Sequence, residues 1–122
     1  AWGLPIIEAT ASGLPVISTM YSGHAEFLKP IQTSVISVDY DMGAVDCPEY
    51  KGYYPFPDGD WGEWAVPKIE SIRDSMRFAY ENHQELSAKA IKNSTKIRRE
   101  FSWSASADQA VTALESRGCD FG

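Results

Sequence analysis

The chain reads as an α/β fold with few parallel strands and a helical carboxy-terminal half. Three observations predict it. The pentapeptide Gly3-Leu4-Pro5-Ile6-Ile7 recurs ten residues later as Gly13-Leu14-Pro15-Val16-Ile17, opening a helix the first time and a strand the second. A second β-branched run follows at residues 34–38, with a short helical turn at 25–28 between the two. From Pro67 onward apolar residues recur at helical spacing. Strands separated by short helices indicate a parallel sheet.

Each element follows from local chemistry. Pro5 suits the first turn of a helix, where its missing N–H would have no partner. Glu8 complements the positive helix end, Ala9 and Ala11 favour continuation, and Gly13 supplies a left-handed stop. Ala9, Ala11 and Ser12 are small enough for this helix to pack closely on a sheet. In the second copy Val16-Ile17-Ser18-Thr19 is short and β-branched, the composition of a buried parallel strand. Residues 39–64 are rich in glycine, proline and acids, with Lys51 the lone lysine, and read as one long aromatic and acidic loop. Pro67 is placed at a helix start, and Ile69, Ile72, Met76 and Ala79 mark one face of that helix. Leu86, Ala90, Ile97 and Phe101 mark the next. Ser102 can cap a third helix, with Trp103, Ala107, Ala110, Val111 and Leu114 inward and Gly118 at its end. Two strands are too few for a doubly wound domain. The 122 residues, which open without methionine in mid-motif, are therefore read as one incomplete domain.

Composition narrows the function. The apolar fraction of 43%, with nine glycines besides, is that of a globular chain and not of a disordered one. A net charge of −6 argues against nucleic acid as a partner, which demands a basic footprint. A small anionic ligand is still compatible, because a few backbone amides suffice to bind phosphate. Cys47 and Cys119 fit neither a disulfide framework nor a zinc site and read as reduced thiols, hence a cytoplasmic setting.

The helix at Pro5 presents the strongest chemistry. Gly3 permits close backbone approach, and the helix tip aims free N–H groups and its positive dipole end outward, an arrangement suited to a pyrophosphate. Glu8, one turn in, carries two oxygens able to accept both hydroxyls of a ribose diol. The competing reading of Glu8 is simple dipole complementation.

Residues Ala1 to Ala9 followed by Ala11-Ser12-Gly13-Leu14-Pro15-Val16-Ile17 resemble the motif of the group 1 (family four) retaining glycosyltransferases. The likeness continues through residues 21–27, at Trp64-Ala65-Val66-Pro67 and at Phe101-Ser102-Trp103. These enzymes have two domains in the GT-B architecture, so the resemblance implies a partial Rossmann-like domain, the carboxy-terminal part of the one that binds the donor. It implies a nucleoside-diphosphate sugar as donor substrate and a sugar or glycan acceptor, with neither cofactor nor metal. By position, Glu8 would hold the donor's ribose, while Gly3 and Leu4 would lie beside its sugar and phosphates. The motif's first glutamate would precede Ala1, so no catalytic residue is assigned within the chain. The acceptor-binding amino-terminal domain would also lie upstream.

Trp2, Ser22, Gly23 and His24 are pocket-lining candidates, the last three because ligands of open α/β sheets bind beyond the carboxyl ends of strands. His24 reads as a general base or, more plainly, as a polar loop residue. Tyr50, Tyr53, Tyr54, Phe56, Trp61 and Trp64 read as loop self-packing or an interface, against a sugar-stacking platform. Asp58 and Asp60 lack the further ligands of a calcium loop. Lys89, Lys92, Lys96, Arg98 and Arg99 most simply form a solvated helix face, the alternative being contact with the cytosolic face of a membrane. The expected function is donor binding within a glycosyltransferase, the isolated chain being inactive. The alternative is a non-catalytic interaction module, since an unpaired sheet edge invites another chain or a homodimer.

Overall fold

The computed structural model describes residues 2–45 and 62–118. Its elements run α1 (Leu4–Ala11), β1 (Val16–Ser18), α2 (Ala25–Leu28), a 3-10 segment (Lys29–Ser34), β2 (Val35–Ser37), β3 (Tyr40–Ala44), β4 (Glu63–Pro67), α3 (Ile69–Glu81), α4 (His83–Glu100) and α5 (Trp103–Glu115). The fold is mixed α/β, with few strands and a helical carboxy-terminal half, as the sequence predicts.

The repeated pentapeptide does two jobs. Its first copy opens α1, with Pro5 in the first turn. Gly13 closes that helix at φ 79°. Its N–H donates to the Thr10 carbonyl and that of Leu14 to the Ala9 carbonyl, the paired bonds of a Schellman motif. The second copy then runs into β1. Strands β1 and β2 pair in parallel, Val16 opposite Val35, Ile17 opposite Ile36 and Ser18 opposite Ser37. The connection between them passes through α2 and the 3-10 segment, which carry most of the core.

Phe27, Leu28, Ile31 and Ile97 are the core's buried centre, with Ile6, Ile7, Ala11, Val16, Met20, Val35 and Phe101 packed around them. Each of the four fully buried side chains contributes roughly 1.5–3 kcal/mol relative to exposure. Helix α4 supplies Leu86, Ala90, Ser94 and Ile97, a three- and four-residue spacing that keeps one stripe inward. Asn93 on the same helix donates from Nδ2 to Thr33 Oγ1 at 3.0 Å and Ser34 Oγ at 2.9 Å, fastening α4 to the 3-10 segment.

Six expectations need correction. The stretch 39–64 is not wholly loop: its ends form an antiparallel ribbon, Tyr40 opposite Pro67 through Ala44 opposite Glu63. Pro67 ends β4 and does not start a helix, because the Lys68 N–H donates to the Asp39 carbonyl at 2.8 Å and keeps the chain extended one residue more. On α3 the covered side is Ile72, Ser75 and Ala79, leaving Ile69 and Met76 largely in solvent. The expected inner face of α5 is exposed throughout, Trp103 at 94%, because little besides the end of α4 meets that helix. β1 is only half covered, with Ile17 39% exposed, since its side chain opens into a hollow shared with Val38, Pro67, Ile72 and Met76. α1 also packs on α4 more than on the sheet. A Cβ at Gly13 would stand 3.4 Å from the Cα of Ile91.

Cys47, Cys119, Asp58, Asp60 and all of the aromatic cluster but Trp64 lie outside the described residues. Trp64 sits on β4, 42% exposed. No helix of the described residues is long and apolar enough to cross a membrane.

Candidate functional site

The site is built where α1 begins. Gly3 holds φ 81° and ψ 51°, a left-handed conformation that turns the chain into the helix, and no side chain caps the tip. The N–H groups of Ile6 and Ile7 both donate to the Gly3 carbonyl, at 3.0 and 3.2 Å. Pro5 has no N–H to offer. The tip therefore presents the amides of Gly3 and Leu4, fewer than the four orphan donors of a proline-free helix start. Leu4 itself is 62% exposed.

The loop after β1 lies directly against this tip. A Cβ at Gly3 would meet the Cβ of His24 at 3.2 Å, so a glycine lets helix start and loop approach. Ser22 takes a left-handed φ of 65°. Its carbonyl accepts from the Ala25 N–H, and that of Gly23 from the Glu26 N–H, which fixes the loop as the lead-in to α2. The His24 ring is engaged: Nε2 lies 2.7 Å from the Thr19 carbonyl oxygen and must donate to it. Only Nδ1 is left for other work, which favours the polar loop reading of this histidine.

Trp2 belongs to an aromatic triangle. Its ring centroid is 5.6 Å from that of Phe27 and 6.3 Å from that of Phe101, and the latter two are 6.0 Å apart. The tryptophan remains 44% exposed, one part anchored in the core and the rest open to solvent beside the tip.

Glu8 is exposed and points to a different wall. It lines a groove of about 250 Å³ with Ile7, Ala11, Ile97, Arg98, Phe101 and Ser102. The groove arises because α1 and α4 lie alongside each other in opposite directions. Gly13 meets Ile91 at one end, and Trp2 meets Phe101 at the other. Sequence reasoning placed Phe101 on a helix face and Arg98 on a solvated one. No local signal ties either to Glu8, some 90 positions away; the pairing of helices does. The structure thus brings Trp2, Gly3, Leu4 and the 22–24 loop together at the tip, with Glu8 one turn along on the side facing the end of α4.

Besides a hollow of about 370 Å³ lined by Met20, Lys29, Gln32, Val35 and Ser37, two others contain none of these residues. One, of about 370 Å³, runs past the carboxyl end of β1 between Ile17, Thr19, Val38, Pro67, Ile72 and Met76, and no charged group lines it. The other, of about 800 Å³, is lined only by the consecutive residues 80–85 at the α3–α4 junction. No group of three or more potential metal-ligating side chains gathers among the described residues.

Over 85 residues the chain is 28% identical to a protein of rice (Oryza sativa subsp. japonica) named probable sucrose-phosphate synthase 5. The matched stretch is 70% of this chain and 8% of that relative, so the chain spans a small part of the relative's length. No protein-family profile matches the chain. No solved structure matches it either.

Proposed function

We propose that this chain supplies part of the nucleotide-sugar site of a glycosyltransferase of the retaining group 1 (family four) type. The carrying observation is the placement of Glu8: exposed, one turn inside an uncapped helix start that a left-handed glycine sets. The likeness to a sucrose-phosphate synthase, an enzyme named for making a phosphorylated sugar, supports the same reading. In it, the Gly3 and Leu4 amides and the dipole of α1 attract the donor's diphosphate. Glu8 accepts hydrogen bonds from the ribose hydroxyls, each charge-assisted and stronger than a neutral one. It orients the nucleotide and takes no part in bond making. Trp2 and the 22–24 loop flank the sugar. The group transferred to the acceptor hydroxyl keeps its anomeric configuration, and the 122 residues alone turn over no substrate.

The test is binding. Glucose diphosphonucleosides with different bases, titrated into the chain by calorimetry or NMR, are expected to bind, and Glu8→Ala to weaken binding about tenfold or more. The thermal midpoint is expected to stay put, because the Glu8 side chain is exposed and makes no ion pair among the described residues. Equal affinity in variant and parent removes the assignment.

One observation favours a second reading, a non-catalytic interaction module: β1 has a free edge among the described residues. Light scattering separates the two. A dimer that dissociates on proline substitution in β1, with no nucleotide-sugar binding, supports the module.

A further inference from the structure

Glu8 and Arg98 face one groove with opposite charges, yet they do not close on each other. The ion pairs among the described residues join Lys68 to Asp41, Lys89 to Glu85 and Arg99 to Glu100; Glu8 and Arg98 are in none of them. Arg98 is nonetheless held in place. Its Nη2 donates to Ser94 Oγ at 3.1 Å, and Ser94 in turn donates to the Ile91 carbonyl at 2.8 Å, so one edge of the guanidinium is anchored on α4. The rest of its planar fork has donors to spare. Besides the two charges the groove is lined by Ile7, Ala11, Ile97, Phe101 and Ser102, so most of its remaining wall is apolar.

Such a groove has a definite chemical preference. A carboxylate only accepts, so it takes a ligand's hydroxyls; a guanidinium only donates, so it takes an anion. The apolar floor suits the carbon face of a ring. The volume of about 250 Å³ equals roughly eight water molecules at about 30 Å³ each, room for one sugar ring and its phosphate and too little for a whole dinucleotide.

We infer that the α1–α4 groove binds a phosphorylated sugar, with Glu8 accepting from its hydroxyls and Arg98 holding its phosphate. The inference rests on the donor-site reading of Glu8 and adds Arg98 to it as a specificity-determining residue. The shared chemistry is a sugar phosphate, either the ribose phosphate of a nucleotide or a free hexose phosphate.

The experiment is an NMR titration of the 122-residue chain with uridine, uridine 5′-monophosphate and glucose 6-phosphate, repeated with Arg98→Ala and Arg98→Lys. Arg98→Ala is expected to weaken the phosphorylated ligands about tenfold while leaving uridine unchanged, and Arg98→Lys to restore part of the loss. Loss confined to uridine 5′-monophosphate assigns the site to the nucleotide; loss confined to glucose 6-phosphate assigns it to a free sugar phosphate. Arg98→Ala variants that bind phosphorylated ligands as the parent does overturn the inference. If Glu8→Ala still weakens uridine in that case, the donor-site reading stands without it. A parent chain that binds none of the three ligands overturns the inference, and the titration with nucleoside-diphosphate sugars of different bases then decides the donor-site reading by itself.

Discussion

Replacing Gly13 by alanine probes the junction on which the helix–strand unit depends. At φ 79° the residue sits in left-handed backbone, which costs an L residue about 1–2 kcal/mol. The added Cβ would also stand 3.3 Å from Ile91 Cγ1 and 3.4 Å from Ile91 Cα. The first atom can swing aside. The second belongs to the backbone of α4 and moves only if the helix moves. Against this, alanine narrows the unfolded ensemble and returns about 0.4–1 kcal/mol. With about 1 kcal/mol more for overpacking against Ile91, the net expectation is a loss of about 2 kcal/mol, or roughly 8 °C in thermal midpoint for a chain of this size. Urea and thermal unfolding followed by circular dichroism measure it. Gly118→Ala is the control: its φ of 83° is nearly the same, but nothing lies within 4 Å of the new Cβ, and the residue follows a helix with no buried side chain. A Gly13→Ala midpoint within 2 °C of the parent, or equal to that of Gly118→Ala, would refute the close packing of α1 on α4 that shapes the groove.

Two further outcomes follow from the helices. Ser102 Oγ accepts from the Ala105 N–H at 3.1 Å, so Ser102→Ala should loosen α5 by about 1 kcal/mol, seen as faster amide hydrogen exchange there. Because α5 buries nothing, the global midpoint should hardly change, and a large shift would show that α5 is docked. Lys89 hydrogen-bonds Glu85 one turn away and, with its charge, holds that carboxyl below its ordinary pKa. The pair's small contribution is present above the ordinary carboxylate value and disappears as pH falls through the lowered one. Lys89→Met should raise the Glu85 titration midpoint in side-chain NMR; an unmoved midpoint would deny the pair in solution.

What was legible in the sequence follows from locality. The start and stop of α1, the β-branched runs of β1 and β2 and the capping serine of α5 are each set by a few neighbouring residues. So is the place of Glu8, one turn inside the helix that Pro5 starts. The β3–β4 ribbon was hidden because its strands pair across some twenty intervening positions, and because Gly43 and Pro67 are poor strand formers alone. The faces of α3 and α5 were misread for a related reason. Apolar spacing tells which residues share a side, and whether that side is covered depends on what lies against it.

By itself the sequence determined where the first helix begins, why it stops and that a carboxylate stands one turn inside it, since backbone sterics and a fixed helical period require no distant partner. Only the tertiary structure decided that α4 runs back along α1 and sets Arg98, Phe101 and Ser102 across from Glu8. That arrangement comes from burying Ile97 among Phe27, Leu28 and Ile31. Hydrophobic burial is non-directional and is satisfied only by the chain as a whole.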